Sequence, residues 1–108
     1  TTAIVGAAFG AAGQRCMALS TLVLVGSPES TKEWLDDIAL KASKLKVGPG
    51  MDPSSEIGPL ITEESKNRVL RIIDQAVSQG ATVHLDGRNT SLDKGNFLGP
   101  TVLSNITP

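Results

Sequence analysis

The stretch that could carry chemistry is Phe9-Gly10-Ala11-Ala12-Gly13-Gln14-Arg15-Cys16-Met17-Ala18, where glycines lead into the only cysteine of a 108-residue chain. A thiolate is a strong nucleophile that can form a covalent acyl or addition intermediate, so a thiol presented at a loop end suits covalent catalysis. If Cys16 opens a short helix, the positive end of that helix stabilises the anion by about 0.3–1 kcal/mol. The competing reading is packing alone, because an isolated cysteine beside Ala, Met and Leu commonly serves as a small buried hydrophobe. Spacing by itself leaves both readings open.

Other chemistries are narrowed by counting. One Cys and one His, His84, cannot build an internal disulfide, a cysteine zinc site or a histidine-rich metal cluster. No His neighbours Cys16 in sequence as a papain-like base would, and His84, on an expected strand, reads as structural. Gly6, Gly10 and Gly13 do not form G-x-G-x-x-G, no strand precedes them, and Walker spacing fails as well. The Gly-x-x-x-Gly spacing instead suits close packing of a helix or approach of the chain to a substrate.

Ten Lys and Arg against eleven Asp and Glu, with 40% apolar and 19% charged residues, describe a soluble globular domain with no nucleic-acid surface. Two Phe, one Trp and no Tyr offer few stacking platforms for single strands. The uncharged run from Thr1 to Gln14, closed by Arg15, falls short of the roughly 20 residues that cross a bilayer, and it lacks the basic start of a signal peptide. No membrane partner is expected. The sequons Asn89-Thr90-Ser91 and Asn105-Ile106-Thr107 would matter only in a secreted chain.

The elements that must hold Cys16 follow from periodicity. Ala3, Ile4, Ala7, Ala8 and Phe9 pattern a helix that Gly6 and Gly10 weaken and Gly13 ends; a chain that opens inside a helix is expected to be a piece of a longer protein. Leu22-Val23-Leu24-Val25 is almost continuously apolar and predicts a strand covered on both faces. Gly26, Ser27 and Pro28 form a turn. Ser30 and Glu33 have capping-box spacing before Trp34, Leu35, Ile38, Ala42 and Leu45, which predicts a helix from about Thr31 to Leu45. Thr62 caps a second helix with the stripe Val69, Ile72, Ile73, Ala76 and Val77, ended by Gly80. Strands are expected at Ala81–Leu85 and around Thr101–Leu103, separated by the polar segment from Asn89 to Asn96. The sum is an α/β fold with a small mixed or parallel sheet and flanking helices, residues 1–108 forming part of one domain.

With these residues in view, the segment Gly-Ala-Ala-Gly-Gln-Arg-Cys-Met-Ala-Leu-Ser resembles the nucleophile segment of the aldehyde dehydrogenase superfamily, in particular its coenzyme A-acylating methylmalonate-semialdehyde branch. The resemblance extends through Ile57-Gly58-Pro59-Leu60-Ile61-Thr62 and Asn96-Phe97-Leu98-Gly99-Pro100-Thr101-Val102-Leu103-Ser104-Asn105. It implies part of a catalytic domain, with Cys16 attacking the aldehyde carbon, NAD taking the hydride and coenzyme A taking the acyl group. It further implies that the backbone N–H of Cys16 helps hold the oxyanion. Arg15 would meet the substrate carboxylate, because a guanidinium can bind one bidentately. Phe9 would line the aldehyde tunnel, and Gly13 and Gln14 would shape the loop. A homotetrameric parent is implied too, in the mitochondrial matrix of a eukaryote or the cytoplasm of a bacterium. The family's NAD-binding domain, its oxyanion asparagine and its Glu-Glu-Ile-Phe-Gly-Pro segment are absent from these residues, so this chain alone is expected not to turn over. Two alternatives stay open at this point. One is hydrolytic deacylation; the other is a non-catalytic folding or interaction unit whose exposed apolar faces bind other chains.

Overall fold

The computed structural model describes residues 1–92 and 94–107; position 93, inside the expected Asn89–Asn96 loop, lies outside the described residues. Helix α1 spans Thr2–Phe9 and runs into a 3-10 turn at Gly10–Gly13. Helix α2 spans Pro28–Ser43 and α3 spans Glu63–Ser78. Strands β1, Thr82–Leu85, and β2, Val102–Ser104, pair antiparallel. The α/β class expected from sequence is therefore present, with its ladder antiparallel where a mixed or parallel sheet was allowed. Among the described residues, parallel pairing is confined to the isolated bridge between Val47 and Ile57.

Helix α2 begins earlier than its apolar stripe suggests. The Ser27 hydroxyl accepts from the Ser30 N–H at 3.3 Å and Pro28 occupies the first helical position, so the cap is Ser27 rather than Ser30. Proline there costs nothing, because the first N–H groups of a helix have no intrahelical partner. Helix α3 starts where expected, with Thr62 Oγ1 accepting from the Ser65 N–H at 3.0 Å, and Gly80 follows its end at φ +99°.

The core is small. Val5 of α1 is buried where α1 packs on α2, together with Ile38 and Ala42 of α2, while Ile57, Leu60 and Ile73 complete the buried apolar set. Of the two stripes only Ile38, Ala42 and Ile73 join it; Leu35, Leu45, Val69, Ala76 and Val77 are half-buried, and Trp34 and Ile72 are each 52% exposed. The expected strand at Leu22–Val25 does not form among the described residues, and Val23 and Val25 are 77% and 94% exposed. Apolar character favours burial, but a strand also requires a neighbour's backbone groups, and among the described residues none lies beside this run. No helix of the described residues is long and apolar enough to cross a membrane.

The segments on either side of α3 are tied together through backbone. Leu60 N–H donates to the Asn96 carbonyl at 2.8 Å, and Lys66 Nζ donates to the Gly95 carbonyl at 3.3 Å. Arg88 joins Asp74 of α3 to Asp86 at the end of β1, through contacts of 2.7 and 2.6 Å. Hydrogen bonds from Arg88 hold the Asp86 carboxyl below the usual range. His84 hydrogen-bonds with the Ser104 hydroxyl across the ladder at 2.7 Å, in line with a structural histidine.

The loop between α2 and α3 turns on Asp52, whose carboxylate accepts from the Ser54 hydroxyl at 2.6 Å, the Ser54 N–H at 2.9 Å and Lys46 Nζ at 3.2 Å. The Ser54 bonds, with Lys46 adding to them, draw the Asp52 carboxyl from an ordinary 3.8 down to about 2. A depressed carboxyl stabilises the fold above its unfolded pKa and loses that contribution as pH falls through the folded value. The loop is therefore expected to lose order between pH 3.8 and about 2, as read by the Asp52 carboxyl and Ser54 amide NMR shifts. Asp52→Asn should remove this transition from the Ser54 amide. An Asp52 carboxyl titrating near 3.8 would contradict the arrangement.

Candidate functional site

The site is built from the C-terminal end of α1. A helix leaves its last four carbonyls without intrahelical partners, and here two of them organise the following loop. Gly10 N–H closes onto the Gly6 carbonyl. The Ala7 carbonyl accepts from Leu19 N–H at 3.1 Å, which brings the chain back onto the helix after Cys16. Between these anchors Gln14 N–H donates to the Ala11 carbonyl at 3.0 Å and Ala18 N–H to the Arg15 carbonyl at 3.1 Å. The second bond closes a turn whose two central residues are Cys16 and Met17.

The reversal of direction occurs at Ala11, Ala12 and Gly13, with φ of +51°, +54° and +70°. Glycine meets this requirement without steric cost, whereas each alanine in the left-handed region costs about 1–2 kcal/mol. Strain of this kind persists where surrounding contacts over-determine the backbone, and it concentrates at functional sites. The closed loop on α1 supplies such contacts. Gly13 takes the left-handed conformation within this loop, and Gln14 follows it as the donor to Ala11.

Cys16 is exposed at the corner of its turn. Among the described residues nothing buries this side chain. Its placement also corrects the expectation of a helix start, since Cys16 lies in a turn followed by chain without regular secondary structure. Helix α1, which ends before it, gives its Ala7 carbonyl to the Leu19 N–H. Arg15 is exposed beside it, and Phe9 is half-buried at the end of α1. The five residues expected at the site thus lie on one loop and the helix end that anchors it. His84, on β1, takes no part in that loop.

Sequence reading missed one member of this group. Gly10 was read as a weak point of the helix, yet its φ of −55° and ψ of 135° suit any L-residue. The Arg15 guanidinium folds over it: a β-carbon at Gly10 would stand 2.6 Å from Nη1, 2.8 Å from Cζ and 3.0 Å from Nη2. Gly6, one turn earlier, has nothing within 4 Å, so close helix packing through the Gly-x-x-x-Gly pair does not occur here. The five-residue separation of Gly10 and Arg15 was visible in sequence, but the left-handed turn that folds one onto the other was not.

Comparison with known proteins places this geometry. The sequence model of the aldehyde dehydrogenase family matches residues 1–108. The mitochondrial acylating methylmalonate-semialdehyde/malonate-semialdehyde dehydrogenase of Bos taurus is 50% identical over 97% of this chain. The chain spans only about a fifth of that relative's length, 20%. The crystal structure of methylmalonate-semialdehyde dehydrogenase from Oceanimonas doudoroffii superposes with a TM-score of 0.90 at 38% identity, covering 96% of this chain and 22% of that one. An aldehyde dehydrogenase from Bacillus cereus, solved as its NAD+ complex, superposes with a TM-score of 0.82 at 35% identity over 97% of this chain and 21% of its own.

Proposed function

The chain belongs to the aldehyde dehydrogenase family, and on that basis we propose that it is the nucleophile-bearing part of a catalytic domain within a longer, coenzyme A-acylating semialdehyde dehydrogenase. The single observation that carries this reading is the exposed Cys16 thiol at the corner of a turn whose loop is closed onto α1 by the Leu19–Ala7 hydrogen bond. The names of the similar proteins supply the substrate class: methylmalonate or malonate semialdehyde.

In this reading the Cys16 thiolate adds to the aldehyde carbon, forming a carbon–sulfur bond and an oxyanion that the Cys16 N–H helps hold. NAD, when bound, accepts the hydride lost from that carbon. The acyl group left on Sγ as a thioester passes to the thiol of coenzyme A, which releases Cys16. With loss of carbon dioxide the products are propionyl-CoA or acetyl-CoA. Arg15 holds the substrate carboxylate, and Phe9 forms an apolar wall of the aldehyde path. No residue here forms a dinucleotide-binding fingerprint. We therefore assign NAD binding to the remainder of the enzyme, as we do the contacts of a homotetramer. The Bos taurus relative is named mitochondrial, which supports the mitochondrial matrix for a eukaryotic source; a bacterial source would place the enzyme in the cytoplasm.

The decisive experiment measures NADH formation by the full-length enzyme with malonate semialdehyde, in the presence and absence of coenzyme A. Steady-state turnover is expected to require coenzyme A and to yield acetyl-CoA. Equal turnover without it, giving the free acid, would place the enzyme among the hydrolytic dehydrogenases. Absence of NADH under both conditions would overturn the reading.

A further inference from the structure

We propose that Gly10 is a positioning residue that seats the Arg15 guanidinium over the C-terminal end of α1 and thereby sets the preference for aldehydes bearing a carboxylate, a role that rests on the assignment of Arg15 made above. Glycine at this position is not required by the backbone, whose φ of −55° any residue adopts. What the missing side chain provides is space, and that space is occupied by Nη1, Cζ and Nη2 of Arg15. A planar guanidinium packs well on a flat surface such as a bare glycine backbone, and a side chain with many rotamers binds better when it is already placed.

The charge of Arg15 is also available. Among the described residues the ion pairs are Lys32–Asp36, Lys41–Asp37, Lys46–Asp52, Arg88–Asp74 and Arg88–Asp86, none of which engages Arg15. Its guanidinium is thus held by packing against Gly10 and leaves its donors for a ligand. The three atoms nearest a β-carbon at Gly10 all belong to the far end of this flexible side chain, so the guanidinium is the group that would have to move.

The test uses the full-length enzyme with malonate semialdehyde and with propionaldehyde, an uncharged aldehyde of matching length. Gly10→Ala is expected to lower the ratio of kcat/KM for the acidic over the uncharged aldehyde by about tenfold, chiefly through KM of the acidic one. In an Arg15→Leu background the same substitution is expected to change that ratio no further. An equal fall for both aldehydes, or an undiminished effect without Arg15, would show that the added methyl obstructs the aldehyde path and would overturn the proposal. A ratio lowered by Arg15→Leu but unmoved by Gly10→Ala would overturn the role of Gly10 alone. A ratio unmoved by Arg15→Leu would defeat the carboxylate assignment itself, and the role of Gly10 with it.

Discussion

Cys16→Ala in the full-length enzyme is expected to abolish aldehyde oxidation, with a loss of at least about four orders of magnitude in kcat, while NAD binding is retained. On the proposed mechanism, removing the sulfur removes the atom on which the thioester would form. The side chain is exposed, and substitutions at exposed positions without special contacts usually change stability by less than about 0.5 kcal/mol. The loss should therefore appear without a shift in the unfolding midpoint, and no burst of NADH is expected on mixing the variant with aldehyde. Retained turnover would defeat the nucleophile assignment. Lost activity with a lowered midpoint would instead restore a packing role for the cysteine.

Gly87→Ala is expected to be the most damaging single-methyl addition in the chain, destabilising by about 3 kcal/mol or more. At this crossing the Gly99 N–H donates to the Gly87 carbonyl at 2.9 Å, and the Gly87 N–H donates to Thr101 Oγ1 at 3.1 Å. A β-carbon on Gly87 would lie 2.0 Å from the Gly99 oxygen, 2.2 Å from its carbonyl carbon and 2.7 Å from the Pro100 oxygen. All three are backbone atoms, so no rotamer change relieves the overlap; the two segments must separate and give up both hydrogen bonds. Gly50, which has nothing within 4 Å of its β-position, provides the control, and Gly50→Ala should stay within about 0.5 kcal/mol of the parent. Urea unfolding of the two variants compares them directly. Equal midpoints would mean that the crossing is looser than described.

The two substitutions differ in what a reader of the sequence could foresee. Cys16 stood out by its rarity and by the glycines ahead of it, and the nucleophile segment around it was recognisable as a string of residues. Gly87 carried no such signal, because its neighbour Gly99 lies beyond an intervening polar segment and only their approach makes the glycine indispensable. The matched segments around Ile57 and Asn96 were likewise read as separate stretches, and the Leu60–Asn96 hydrogen bond shows that they form one junction.

Local chemistry accounts for what the sequence determined by itself. Helix α3 was readable to its ends because Thr62, the acidic first turn and Gly80 act within a few residues of one another. The family of the chain was equally legible, since the motif around Cys16 is contiguous. The start of α2 was misplaced by three residues because two serines competed for the cap, and the proline after Ser27 decided between them. Tertiary structure decided the rest. Whether Leu22–Val25 pairs as a strand depends on a neighbouring backbone, which hydropathy does not contain. The turn about Cys16 depends on the Ala7 carbonyl finding Leu19, and the seat of Arg15 depends on three consecutive left-handed residues, two of them alanines that no propensity favours there. These features arise from pairwise approach in space, and that is why the family motif around Cys16 was legible while the shape of its loop was not.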